Sequence, residues 1–200
     1  MPLSTDFLNE CVSRHNSIRD GHKNTAGLTK SDALCQSAQQ WADHLLQKSE
    51  GFSSNLLVHS SDAERQGAGE NLYYLSREET MTLDELKTWR AQIPDDMFNS
   101  QPLYQQYYDV KLEAAKPFSE VDNYNFVTAS SHNGYPIGHF TQVVWRSSTE
   151  IGVGVATNGK GKYFVVAHYQ PAGNVWPAGN YSGTYDENVS EQKPGFVFTE

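Results

Sequence analysis

Along STDFLNECVSRHNSIRDGH, Phe7, Leu8, Cys11, Val12 and His15 return at three- and four-residue steps, the spacing of one face of an amphipathic helix. Ser4, Thr5 or Asp6 can cap its start, and Gly21 ends it. The same period runs through KSDALCQSAQQWADHLLQKSEG. There Leu34, Ala38, Trp41, Ala42 and Leu45 form the buried stripe of a second helix, capped by Ser31 or Asp32 and closed at Gly51. Beyond NLLVHSS, the glycine-punctuated RQGAGENLYYL predicts a strand over 71–75. Residues 81–116 are polar and largely helical in pattern, divided at Pro94 and Pro102. In IGVGVATNGKGKYFVVAHYQ two β-rich runs flank NGKG, the signal of an antiparallel hairpin. Residues 171–200, rich in Gly, Pro and Asn, predict an irregular tail wrapped on the surface. Helices early, a hairpin late and no βαβ alternation point to one domain over 1–200, α+β or layered as αβα.

Length and composition narrow the picture without changing it. A compact chain of 200 residues buries about 70% of its extended surface, enough for a core that needs no disulfide staples. Cys11 and Cys35 each sit inside a helical pattern and read as free buried thiols rather than a bridge. The net charge of −9 argues against a nucleic-acid surface and against broad adsorption to anionic lipid. No leading apolar run resembles a signal peptide, and no ~20-residue apolar stretch could span a membrane. An intracellular chain is therefore expected. A trimmed signal would make it extracellular, and only then would the sequons at Asn180 and Asn188 matter.

The candidate chemistry begins at GHFTQVVWRSSTEIGVGVA, where His139 stands beside an apolar run. Burying a histidine without a partner is unfavourable, so His139 is either a satisfied core residue or faces a polar cavity. His15, on an apolar stripe, reads as a hydrogen-bonded core residue. His22, His44 and His132 fall in turns or on polar helix faces, and His168 alternates out of its strand to a half-exposed position. Trp41, Phe140 and Trp145 read as core anchors. No HExxH or nucleophile elbow occurs, and neither Ser119 nor Ser147 has an evident His–Asp arrangement.

GHFTQVVWRSS and HYQPAGNV resemble the two signature segments of the CAP superfamily: cysteine-rich secretory proteins, antigen 5 and plant pathogenesis-related proteins. HNSIRDGH, QSAQQWADHL, GAGENLYY and FSEVDNYNF resemble its other recurrent segments in the same order. With few cysteines and no visible signal peptide, the chain is most similar to the Golgi-associated plant pathogenesis-related branch. The resemblance implies an αβα sandwich, a central antiparallel sheet flanked by helices. It also implies a cleft lined by two histidines and two glutamates: His59 in LLVHSS, Glu70 in GENLYY, Glu120 in FSEVDNYNF and His139 in GHFTQ. Two imidazoles and one or two carboxylates make an N/O set suited to zinc or another divalent cation. Without metal, each carboxylate would orient its imidazole and raise its pKa.

Two departures from the family pattern bear on function. About thirty extra residues, far beyond an ordinary connection, lie between the GENLYY and SEVDNYNF segments, over 84–115. They carry Trp89, Tyr104, Tyr107 and Tyr108, with Tyr107 and Tyr108 as candidate ligand contacts at the cleft rim, and Glu113 as a rival to Glu120. The second departure is Pro2, where myristoylation requires glycine; with the negative charge, it removes the supports for membrane association. Three functions follow from the resemblance. In order of support they are a binding module for a lipid or sterol, assisted by a metal; a protein–protein adaptor or self-associating scaffold; and a metal-dependent hydrolase or protease with Glu70 or Glu120 as base.

Overall fold

The stripe in the first segment becomes α1, Thr5–Asp20, with Cys11, His15 and Ile18 buried along one side. It stops where the Gly21 N–H turns back onto the Ser17 and Ile18 carbonyls. These coordinates are a computed structural model that describes residues 5–50, 56–76, 120–132, 134, 136–175 and 181–196. The second stripe becomes α2, Asp32–Ser49, burying Ala38, Ala42 and Leu45. Ser31 caps it through its carbonyl, which accepts the Cys35 N–H, rather than through its hydroxyl. Gly51 and the 84–115 insertion, with Tyr107, Tyr108 and Glu113, lie outside the described residues.

Four strands form the main sheet: β1, Thr29–Lys30; β2, Gly69–Ser76; β5, Glu150–Thr157; and β6, Lys162–Gln170. Their order is β1-β5-β6-β2. The β5–β6 and β6–β2 pairings are antiparallel, as expected, but β1 joins β5 in parallel and makes the sheet mixed. The hairpin turn is closed by Asn158, whose side-chain oxygen accepts from the Lys160 and Lys162 N–H groups, while Gly159 takes the left-handed φ of 67°. A short helix α3, Glu120–Asn123, runs into a two-stranded ribbon of β3, Tyr124–Asn125, and β4, Ser130–Ser131. Then comes α4, Gly138–Val143.

The sheet separates two apolar cores. On one face α2 packs Ala38, Ala42 and Leu45 against Leu72, Tyr74, Phe164 and Val166. The other face carries Val153, Val165 and Tyr169, covered by Ile18 of α1 and by Phe140, Val143 and Trp145 of the α4 segment. Phe140 and Trp145 are therefore core anchors; Trp41 is only half-buried, stacked on His44, with its indole N–H donating to the Val58 carbonyl. The α2 layer sits close because β5 carries glycines there: a Cβ on Gly154 would collide with the backbone of Ala38 and Gln39. Gly154→Ala is expected to lower stability by about 1–3 kcal/mol, the usual range for overpacking. Chemical denaturation checks this, and an unchanged midpoint would contradict the close approach.

Three expectations need correction. The tail over 171–200 is not irregular throughout, because Tyr181–Asn188 forms α5. Tyr185 anchors it edge-on to Trp145 at 5.3 Å, and the Asn188 side chain bonds the Thr184 carbonyl and the Ser147 N–H. His22 is fully buried instead of lying on a polar turn, with Nδ1 on the Ser190 carbonyl. His168 is 0% exposed. β6 is a central strand covered on both sides, so alternation along it does not lead to solvent. The two cysteines are free, as predicted, with Cys11 buried and Cys35 half-buried.

Candidate functional site

Glu70 is the second residue of β2, and the antiparallel register sets it directly across from His168 of β6. Neighbours in that relation share one face of the sheet. The Glu70 side chain is 2% exposed and accepts four hydrogen bonds. His59 Nδ1 donates at 2.6 Å, the Ser60 N–H at 3.0 Å, the Ser60 hydroxyl at 2.6 Å and His168 Nε2 at 3.0 Å. Burial works to raise its pKa, but the donors from His168, His59 and Ser60 outweigh it and hold the carboxyl at about 2.

Glu120, the first residue of α3, is also buried. Its carboxylate accepts the Phe140 N–H at 2.9 Å and His139 Nδ1 at 3.0 Å. The Phe140 amide belongs to the first turn of α4, whose N–H groups have no partner within the helix, so Glu120 caps that helix while orienting its histidine. His139 is further pinned through its backbone. The Asn71 amide donates to its carbonyl at 3.1 Å and to the Tyr169 hydroxyl at 3.4 Å. That hydroxyl donates to His15 Nε2 at 2.9 Å, and His15 Nδ1 donates to the Cys11 carbonyl at 2.8 Å. The proton direction along this chain is fixed, because a carbonyl only accepts.

All four residues carried over from the family segments, His59, Glu70, Glu120 and His139, line one cleft of about 510 Å³. Gly173 and Gln142 also line it; a side chain on Gly173, or on Gly69 beside the cleft, would strike the Gln142 amide, whose oxygen accepts the Gly173 N–H at 2.9 Å. The four stand as two His–Glu pairs. Among the described residues, no three His, Cys, Asp or Glu side chains form a group that could hold a metal ion. Each carboxylate is engaged in orienting an imidazole by Nδ1, which leaves Nε2 as the lone-pair nitrogen of His59 and of His139. What the donor set offers a cation is thus two imidazole nitrogens, with both carboxylates behind them. The sequence reading missed His168 as the second imidazole on Glu70, because their facing depends on the register of β2 against β6, which no local signal sets.

Layered α and β elements around a cleft walled by paired histidines and glutamates define the pathogenesis-related type of αβα sandwich. The cysteine-rich secretory protein family profile, CAP, matches residues 12–169, and the chain belongs to that family. It is 32% identical over 190 residues to the human Golgi-associated plant pathogenesis-related protein 1, covering 95% of this chain and 96% of that one. It is 31% identical over 173 residues to Protein PRY2 of Saccharomyces cerevisiae, spanning 85% of this chain but 39% of that protein. Among solved structures, BmVAL-1 superposes with a TM-score of 0.56 at 25% identity, over 87% of this chain and 81% of its own.

Proposed function

We propose that the chain is a binding module, not a catalyst, and that its cleft takes up a divalent cation such as zinc between His59 and His139, with water completing the coordination. One observation carries this reading: two imidazoles, each tied by Nδ1 to a buried carboxylate, line the same cleft. A carboxylate behind a ligating histidine fixes the tautomer and increases the basicity of the other nitrogen. The bound ion would supply positive charge for recognising an anionic or polar ligand group. The hydrolase reading has less support with Glu70 as base, because a general base works best with a pKa near the working pH. Glu70, held at about 2, is far from it.

The test is zinc binding by the intact protein. At a hundredfold excess over Kd, a single site adds about 2.7 kcal/mol of stability, seen as a rise in Tm. The double variant His59→Ala/His139→Ala is expected to fold and to lose that rise. A rise of unchanged size in the double variant would refute the assignment. The lipid or sterol ligand rests on the family resemblance. The cleft walls include His59, Arg65, Glu70, Asn71 and Asn174, which suit an ion or a polar headgroup. The human relative's Golgi-associated name supports a similar intracellular site of action, which microscopy of the tagged full chain would check. No helix among the described residues is long and apolar enough to cross a membrane.

A further inference from the structure

We propose that His168, buried beneath the cleft, is a positioning residue that locks the Glu70 carboxylate and through it sets His59 in the tautomer presenting Nε2 to the cleft. The inference rests on the cation-binding reading only for its consequence in zinc affinity; the geometry stands apart from it.

The four donors to Glu70 come from two places in the fold. His59 Nδ1, the Ser60 N–H and the Ser60 hydroxyl all belong to one stretch of irregular chain. The His59 side chain is 63% exposed. His168 Nε2 is the one donor from a central strand, and its ring is 1% exposed. Its own orientation is fixed from behind by α2, where the Ser37 hydroxyl meets His168 Nδ1 at 2.8 Å. Both Glu70 oxygens already accept donors from His59 and Ser60, so in its contact with His168 the carboxylate accepts again and Nε2 carries the proton. The chain of contact runs from Ser37 on a helix through His168 on a strand to Glu70, and from Glu70 to the imidazole at the surface. In the other pair, Glu120 accepts the backbone N–H of Phe140, which belongs to α4, the same helix that carries His139. The two histidines of the cleft are therefore oriented by different means.

The experiment reads the ring nitrogens of His59 and His168 by long-range ¹H–¹⁵N NMR in the metal-free protein near pH 8, alongside zinc titration. In the wild type, His59 is expected as the Nδ1–H tautomer, and His168 with a proton on Nε2. His168→Leu removes the donor and is expected to convert His59 to a mixture with the Nε2–H form, weakening zinc binding about tenfold, the low end for lost outer-shell partners. His168→Gln keeps a donor of similar reach and is expected to retain the wild-type tautomer and zinc affinity within about threefold. Should the leucine variant not fold, His168→Asn, polar but too short to reach Glu70, takes its place with the same expected change. A His59 ring that stays Nδ1–H in the folded Leu or Asn variant overturns the proposal. So does a wild-type His168 without a proton on Nε2. A tautomer shift in a protein that binds no zinc supports the positioning role and refutes the cation-binding reading instead.

Discussion

Arg19→Ala is expected to destabilise the protein by about 3–5 kcal/mol, the scale of breaking a buried charged network, measured as a fall in the urea midpoint at unchanged slope. Arg19 lies on α1 and is 0% exposed. Its guanidinium reaches four backbone carbonyls: Nε donates to Ala26 at 2.7 Å, Nη1 to Val143 and Trp145 at 2.9 Å each, and Nη2 to Ser148 at 2.9 Å. Burial pushes its pKa down to about 10, partly offset by the Tyr169 hydroxyl, so it stays charged at neutral pH. Val143 is the last residue of α4, where carbonyls run out of helical partners and the dipole is negative, and Trp145 lies just beyond the cap Val144. Alanine would take a donor from all four carbonyls; Trp145 keeps the Ser148 N–H at 3.1 Å, and each carbonyl left buried without a donor costs about 1–3 kcal/mol. Since a domain's whole stability is about 5–15 kcal/mol, the loss is a large share of it. Arg19→Lys keeps the charge but lacks the planar fork that spans four acceptors, and recovers only part. A loss below about 1 kcal/mol for Arg19→Ala would mean that water replaces the guanidinium freely. The site feels the same change, because α4 holds His139 at its other end.

The elements and the site were legible to different depths. Both long helices and the hairpin could be read because their signals are local: one buried face at helical spacing, and an Asn-Gly turn between β-rich runs. β1 was not, since two residues carry no period and pair with β5 only through the tertiary fold. α5 was hidden by Gly183 in its interior and by its anchoring through the tertiary contact of Tyr185 with Trp145. At the site, Glu70, Glu120, His59 and His139 were found through family segments, and the structure brings all four to one cleft. Their pairing was not legible, because it depends on the register of β2 against β6 and on α3 meeting the start of α4. His168 was misplaced for a single reason. Alternation predicts exposure only where one face of a sheet is wet, and both faces of β6 are covered.

On acidification the protein is expected to lose stability in two consecutive windows, each worth about 3 kcal/mol by the usual conversion of a pKa displacement into free energy. The first belongs to His15. Burial pushes it from an ordinary 6.5 to about 4, with the Cys11 carbonyl opposing and Arg19 adding to the descent. The unfolded chain takes up a proton on this residue below about 6.5, while the folded one resists until about 4. Stability therefore falls as pH falls between those values. Buried His22 is displaced in the same direction and contributes there too. The second window belongs to Glu70. Against its burial, three donor groups lower it from 4.5 to about 2, so its contribution is complete above 4.5 and is lost as pH falls toward 2. Urea denaturation of the wild type and of His15→Gln, at several pH values between 7 and 3, separates the windows. The glutamine variant starts less stable, because it disturbs the bonds to Tyr169 and Cys11. It is expected to lose less between pH 6.5 and 4, so that the two curves converge. Surface charge, net −9 at neutral pH, titrates alike in both proteins and cancels from their difference. Curves that stay parallel through the first window would show that His15 accepts a proton in the folded state, and that the Asn71–Tyr169–His15 chain does not fix its tautomer.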